Sequence, residues 1–274
     1  MRFPRSFALC VVLLACGPNG ADSSGAPSAA PATSASADGP AKHDLAALRE
    51  AEQRRAPGMI GQPDLASREP DVRAAAARAS ARIATPGARA GLLRGLADED
   101  ASVVAWAAYG LGFRCLEERE ATVSALVARA LTLRDEDVAV AFGPIARAVG
   151  RCAGTRSEAT LVSWLDGSAE RAREAALGLG DLAGQAKKLR EETLVALLLR
   201  AEGGVSTPPL PEALYPLSRL ENVPPSVTAR VAEVARARLA DPGPYRLFAI
   251  RALGRAREAG PQTALPPPPA GSPA

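Results

Sequence analysis

The stretch VAWAAYGLGFRC, Val104 to Cys115, decides how this chain is read. An apolar run with spaced glycines that ends in a cysteine can be a cofactor-binding turn, a redox site, or one unit of something that repeats. Comparison with the rest of the 274 residues selects the third. Related windows are AAAARASARIA from Ala74, FGPIARAVGRC from Phe142, AREAALGLGDL from Ala172, PEALYPLSRL from Pro211 and YRLFAIRALGRA from Tyr245. All six align on one small residue, Ala81, Gly112, Gly150, Gly180, Ser218 or Gly254, at spacings of 31, 38, 30, 38 and 36 residues. Two positions earlier stands Ala79, Gly110, Ala148, Gly178, Pro216 or Ala252. Small residues at fixed offsets let neighbouring helices approach closely. The Leu or Val that precedes the aligned residue in five of the six windows fills the seam.

Second amphipathic segments lie between the windows. Val123, Leu126, Val127, Ala130 and Leu131 share one helical stripe, as do Leu194, Leu197 and Leu198, and Val227, Val231 and Val234. Each unit is then two helices in about 30 to 38 residues, too few to bury its own apolar face, so stability must come from stacking on neighbours. The acids Asp71, Asp98, Asp100, Asp135, Asp137, Asp166 and Asp241 fall just ahead of the small-residue helices, where carboxylates are expected to cap free amides. Composition agrees with an all-α class. The chain is 47% apolar but only 4% aromatic, which favours alanine- and leucine-rich helices over a sandwich of short strands.

The pattern acid-x-Val-Arg-x-x-Ala-x-x-Ala-Leu-Gly, seen in part as PDVRAAAARASARIA and AREAALGLGDL, resembles HEAT repeats of the short bacterial, phycobilisome-lyase-like kind. The likeness spans residues 43–258 and includes an initial helix over 43–55 that would cap the array. It implies an α-solenoid of about six helix pairs with a long surface for a protein or peptide partner. Two prolines depart from the pattern: Pro216 interrupts the fifth unit, and Pro144 falls inside the third, where a kink is expected.

The first residues read as an address. MRFPRSFALCVVLLAC places Arg2 and Arg5 ahead of an apolar run too short to span a ~30 Å hydrocarbon core. Its end, Leu13-Leu14-Ala15-Cys16, resembles the bacterial lipobox, which implies a signal peptide over residues 1–15 and lipid on Cys16; an ordinary signal peptide cut further on is the alternative. Residues 16–42, rich in Ser, Ala, Gly and Pro, read as a flexible tether that cannot offset its ordering entropy by burial. The expected location is a bacterial membrane, at its periplasmic face or the cell surface, reached through the lipid anchor only. Residues 259–274 form a proline-rich tail of extended, polyproline-like chain.

Known chemistry finds little purchase. The net charge of +3 comes from mixed signs along the chain, so no field of one sign argues for nucleic acid. The glycines of YGLG and LGLG lack the preceding strand of a dinucleotide fingerprint. His43 is the only histidine and reads as a solvated residue near a helix start. The Asp-Glu-Asp runs at 98–100 and 135–137 lack a calcium loop of alternating ligands. No catalytic residue, metal, cofactor or small-molecule substrate is therefore expected.

Cys10 leaves with the signal and Cys16 carries lipid, which leaves Cys115 and Cys152 at equivalent ends of consecutive units in an oxidising setting. A disulfide between them is one reading, two buried thiols the other. Helices stack ~10 Å apart, too far for a bridge, so the helix ends would have to converge. Trp106, Tyr109, Phe113 and Trp164 cluster in the middle units, with core packing as the ordinary role and a partner-binding stripe as the sharper one. Arg114, Arg151, Arg219 and Arg255 follow the aligned small residues and would form a ladder along one edge. The expected function is a non-catalytic, membrane-tethered HEAT-repeat scaffold for protein–protein interaction. The alternative is the repeat portion of an enzyme: a lipoprotein prolyl isomerase whose catalytic domain is not in this chain, or a phycobilin-lyase-like protein.

Overall fold

The computed structural model describes residues 44–83, 87–116 and 118–256. The signal segment, Cys10, Cys16, the 17–42 tether, His43 and the proline-rich tail lie outside the described residues. Every regular element among the described residues is helical. In chain order these are α1 Leu45–Arg54, α2 Gln62–Leu65, α3 Pro70–Arg82, α4 Ala88–Leu96, α5 Ala101–Gly112, α6 Arg119–Leu131 and α7 Asp135–Asp137. There follow α8 Gly143–Cys152, α9 Ser157–Trp164, α10 Ala169–Ala186, α11 Glu191–Glu202, α12 Leu214–Arg219, α13 Pro225–Ala237 and α14 Pro244–Arg255. No described helix is long and apolar enough to cross a membrane.

The helices that carry the aligned small residues pack on one another in chain order: α3 on α5, α5 on α8, α8 on α10, α10 on α12, and α12 on α14. α1 lies on α3, while α4, α6, α9 and α13 pack against α5, α8, α10 and α14 respectively. The helix contacts join elements that are near in sequence, so what each pair cannot bury by itself is buried on its neighbours. One core runs from Ala81 to Ala256, with a small satellite of Leu48, Val72 and Ala76 under α1. Leu194, Leu197 and Leu198 face this core from α11, as do Val227, Val231 and Val234 from α13. On α6 the stripe is incomplete: Val123, Leu126 and Ala130 are buried, but Leu131 is 73% exposed.

Two prolines leave visible marks. Pro144 has no N–H to give and its ring crowds the carbonyl four residues back; the chain meets this with a π turn, Val138–Phe142, running straight into α8. Pro216 falls in α12, which is only six residues long and is preceded by a 3-10 turn, Pro211–Ala213.

Capping is shared among fewer acids than the sequence suggests. Asp100 caps α5, accepting from the amides of Ser102 at 2.9 Å and Val103 at 3.2 Å, and Asp44 caps α1 through Ala47 at 2.8 Å. Ser168, not Asp166, caps α10. Asp98 instead receives two hydrogen bonds from the Arg73 guanidinium, at 2.8 and 2.9 Å, and Asp137 receives two from Arg134. Burial pushes the Asp98 carboxyl up, but the Arg73 hydrogen bond and the Asp100 amide together hold it below the usual carboxylate range.

Many polar side-chain contacts link one unit to the next. Glu120 accepts from the amide of Thr155 at 2.9 Å and from its hydroxyl at 3.0 Å. One unit later Glu158 accepts in the same manner from the amide of Arg190 at 2.8 Å and the hydroxyl of Thr193 at 2.6 Å. Each of these pairs brings a first-turn glutamate of one helix to the start of the next equivalent helix.

Candidate functional site

The helical spacing of Trp106, Tyr109 and Phe113 puts all three on one face of α5, where their rings stack in series with centroids 5.7 and 5.0 Å apart. Arginines from both flanking helices lie over them. Arg78 of α3 sits 5.9 Å from the Trp106 ring, and Arg151 of α8 sits 5.5 Å from Tyr109 and 4.5 Å from Phe113. Phe113 is 58% exposed, so it is not a core residue; Trp164, by contrast, packs on the buried Phe142 at 5.0 Å. Between α5 and the π turn of α8 lies an open groove of about 430 Å³, lined chiefly by Arg82, Ser102, Trp106, Tyr109, Val140 and Pro144. Arg82 also borders a second cleft of about 510 Å³ between α1 and α3.

The aromatic and arginine pattern continues onto later helices. Asp181 of α10, only 9% exposed, accepts from Arg147 through both carboxylate oxygens and from the Tyr215 hydroxyl at 3.3 Å, with the Arg151 Nε 3.4 Å away. Tyr215 lies against Phe248 at 5.0 Å, and the Tyr245 hydroxyl donates to Glu212 at 2.8 Å. Burial pulls hardest on the Arg147 guanidinium, yet its hydrogen bond and attraction to Asp181 carry it above its ordinary value. For Arg151 burial wins, and its pKa falls in spite of Asp181. The buried Nη1 of Arg151 has no hydrogen-bond partner among the described residues. The cations of this arrangement are engaged within it, Arg147 and Arg151 by Asp181 and Arg151 also by the rings of Tyr109 and Phe113.

Of the residues singled out in the sequence, Trp106, Tyr109 and Arg151 come together on this face. Arg114 turns inward, donating from Nη1 to the Ser80 carbonyl at 2.7 Å and from Nη2 to Ile83 at 2.9 Å. It thereby satisfies carbonyls at the end of α3 that have no helical partner, and burial lowers its pKa. Arg219 is exposed with its guanidinium 5.9 Å from Tyr215, and Arg255 is exposed at the end of α14. The four arginines therefore do separate jobs rather than forming one ladder. Cys115 and Cys152 are joined as a disulfide, with Cα atoms 5.6 Å apart. Cys115 lies beyond the last residue of α5 and Cys152 ends α8 before Ala153 turns to a φ of 50°, so the bridge forms where the chains leave their helices and converge. Sequence reading missed Arg78, Arg82, Val140, Pro144 and Asp181. Arg78 and Arg82 carried a signal, four residues apart on one helix face.

No protein-family model matches the chain, and no curated protein is significantly similar to it. Among solved structures, it is similar to the crystal structure of an engineered protein, at 22% identity and a TM-score of 0.45, over 76% of this chain and 96% of that one. At that level the likeness transfers neither fold detail nor function.

Proposed function

We propose that the protein is a non-catalytic HEAT-like α-solenoid, held to a bacterial membrane by lipid on Cys16, that serves as a scaffold for another protein of the cell envelope. The observation that carries this reading is the packing of α3, α5, α8, α10, α12 and α14 in chain order, with the half-buried Trp106 and Tyr109 and the exposed Phe113 in series on one side and Arg151 packed over the last two. A stack of this kind offers a broad surface, and aromatic and arginine residues are the usual anchors of such interfaces. The Cys115–Cys152 bridge suits an oxidising compartment.

The test is site-specific photocrosslinking of the full chain in native envelopes. A photoreactive residue in place of Trp106 is expected to give a discrete adduct, and one in place of Leu131 on α6 to give none. Absence of any adduct from Trp106, Tyr109 and Arg219 alike would overturn the scaffold reading. Cys16→Ser is expected to shift the protein from the membrane to the soluble fraction.

A further inference from the structure

One cleft of the described surface gathers charge mainly of a single sign. The cleft between α1 and α3 is lined by four arginines, Arg49, Arg55, Arg78 and Arg82, against one carboxylate, Glu52. Glu52 is already shared, bonding Arg78 at 2.8 Å and Arg82 at 2.5 Å. Arg49 and Arg55 have no carboxylate partner among the described residues, and Arg49 is exposed. Arg73, Arg147 and Arg230, by contrast, are paired with Asp98, Asp181 and Glu202. The cleft thus concentrates an excess of three positive charges, as many as the whole chain carries. Guanidinium groups pair with carboxylates through two parallel hydrogen bonds, so arginines without a carboxylate partner at a cleft are ready donors to acidic side chains.

Arg82 borders both this cleft and the groove floored by Trp106 and Tyr109, where Val140 is 45% exposed. The cationic and apolar sites are therefore contiguous. Both are open along the surface, which suits a stretch of polypeptide better than an enclosed small molecule. Resting on the scaffold reading above, we infer that the cleft and groove together receive an acidic segment of the partner protein, with carboxylates on Arg49, Arg55 and Arg82 and a large apolar side chain beside them seated between Trp106 and Pro144. Charge complementarity steers the encounter, and the aromatic floor holds the anchor.

The probe is a random dodecapeptide library displayed on phage, selected against the full chain. Enriched peptides are expected to carry Asp or Glu next to Trp, Phe, Leu or Ile. Arg49→Glu, an exposed change that leaves Glu52 its two partners, is expected to weaken the selected peptides by about tenfold, more at low salt than at high salt. Trp106→Ala is expected to weaken them at least as much, while Leu131→Glu on α6 leaves them unchanged; circular dichroism of each variant checks the fold. Enrichment of peptides without acids, binding indifferent to Arg49→Glu, or no enrichment at all overturns the inference. If the library fails while Trp106 still crosslinks to a partner in envelopes, the acidic-segment inference falls and the scaffold reading stands. If neither gives a signal, both fall.

Discussion

Where α8 meets α10, backbone lies on backbone. A side chain at Gly178 would sit 2.6 Å from the carbonyl oxygen of Ala146 and 2.8 Å from a methyl of Leu161, and Gly150 faces the Gly178 carbonyl in return. Where α12 meets α14 the filling is done by rings, Tyr215 on Phe248 at 5.0 Å, and at the exposed Gly254 near the end of α14 a side chain would meet nothing within 4 Å. Gly150 and Gly254 occupy aligned places in the repeat, yet a side chain is excluded at the first and has room at the second. Helix length follows the same division: α10 has 18 residues, α12 only six. Closely apposed helices fix their spacing by the absence of Cβ atoms, and nothing nearby can yield if one is added. Ring-packed helices fix it by side chains that can rotate.

The largest effect is therefore expected at the tight seam. Gly178→Leu should destabilise the protein by about 4 kcal/mol or more, because the clash is with backbone as well as with a buried leucine. Urea unfolding followed by circular dichroism measures it. A loss below ~1 kcal/mol would mean that α8 and α10 are further apart than described here.

Next comes the bridge beside that seam. Cys115 and Cys152 are 37 residues apart, and closing a loop of that length in the unfolded chain contributes roughly 4 kcal/mol by chain entropy. The double change to serine, or reduction, should lower stability by about that amount. Equal unfolding midpoints for oxidised and reduced protein would show that the α5 and α8 ends are held by packing alone.

A smaller effect is expected from Asp98, which joins α3 to the loop before α5. Its carboxyl is depressed in the folded state, so its contribution is present above the unfolded value, about pH 4, and is lost as pH falls through the lower folded value. Asp98→Asn should cost about 2 kcal/mol at neutral pH, since the Arg73 and Asp98 side chains are only 11% and 12% exposed. It should also flatten the fall in stability below about pH 4, and an unchanged acid limb would exclude Asp98 as its source.

The sequence showed the helices because their signal is local and periodic: the small residue at each aligned place, the Leu or Val before it, and the stripes at Leu194, Leu197 and Leu198. The initial helix expected over 43–55 is observed as Leu45–Arg54. What the sequence concealed was choice of partner. Asp98 and Asp100 are both acids ahead of α5, and only the three-dimensional position of Arg73 makes one an ion-pair partner and the other a cap. Arg114 and Arg151 occupy similar places after aligned glycines, yet one reaches back to the carbonyls ending α3 and the other lies on aromatic rings. The groove was half legible: Trp106 and Tyr109 announced themselves by type, whereas Val140 and Pro144 belong to it because a proline forces a π turn, which no periodicity reveals. One signal went unread. Glu-Ala-Thr recurs at 120–122 and 158–160, and those two glutamates make the equivalent unit-to-unit hydrogen bonds.

The smallest expected effect has the opposite sign and tests the open end of α14. Gly254 lies in the last turn of α14, in helical backbone, with open space where a side chain would go. Glycine inside a helix costs about 0.5–1 kcal/mol relative to alanine, because it has more freedom to lose, and here no contact stands against the added methyl. Gly254→Ala should therefore stabilise, near 0.5 kcal/mol since the final turn frays, and should raise the urea midpoint slightly. Gly150→Ala, the same chemical change at the aligned place three repeat helices earlier, should destabilise, because its methyl would enter the α10 backbone. Opposite signs for one substitution at two aligned glycines is what a covered middle place and an open last one require. A loss at Gly254 would mean that something closes over the end of α14, and the distinction between a tight middle and an open end would disappear.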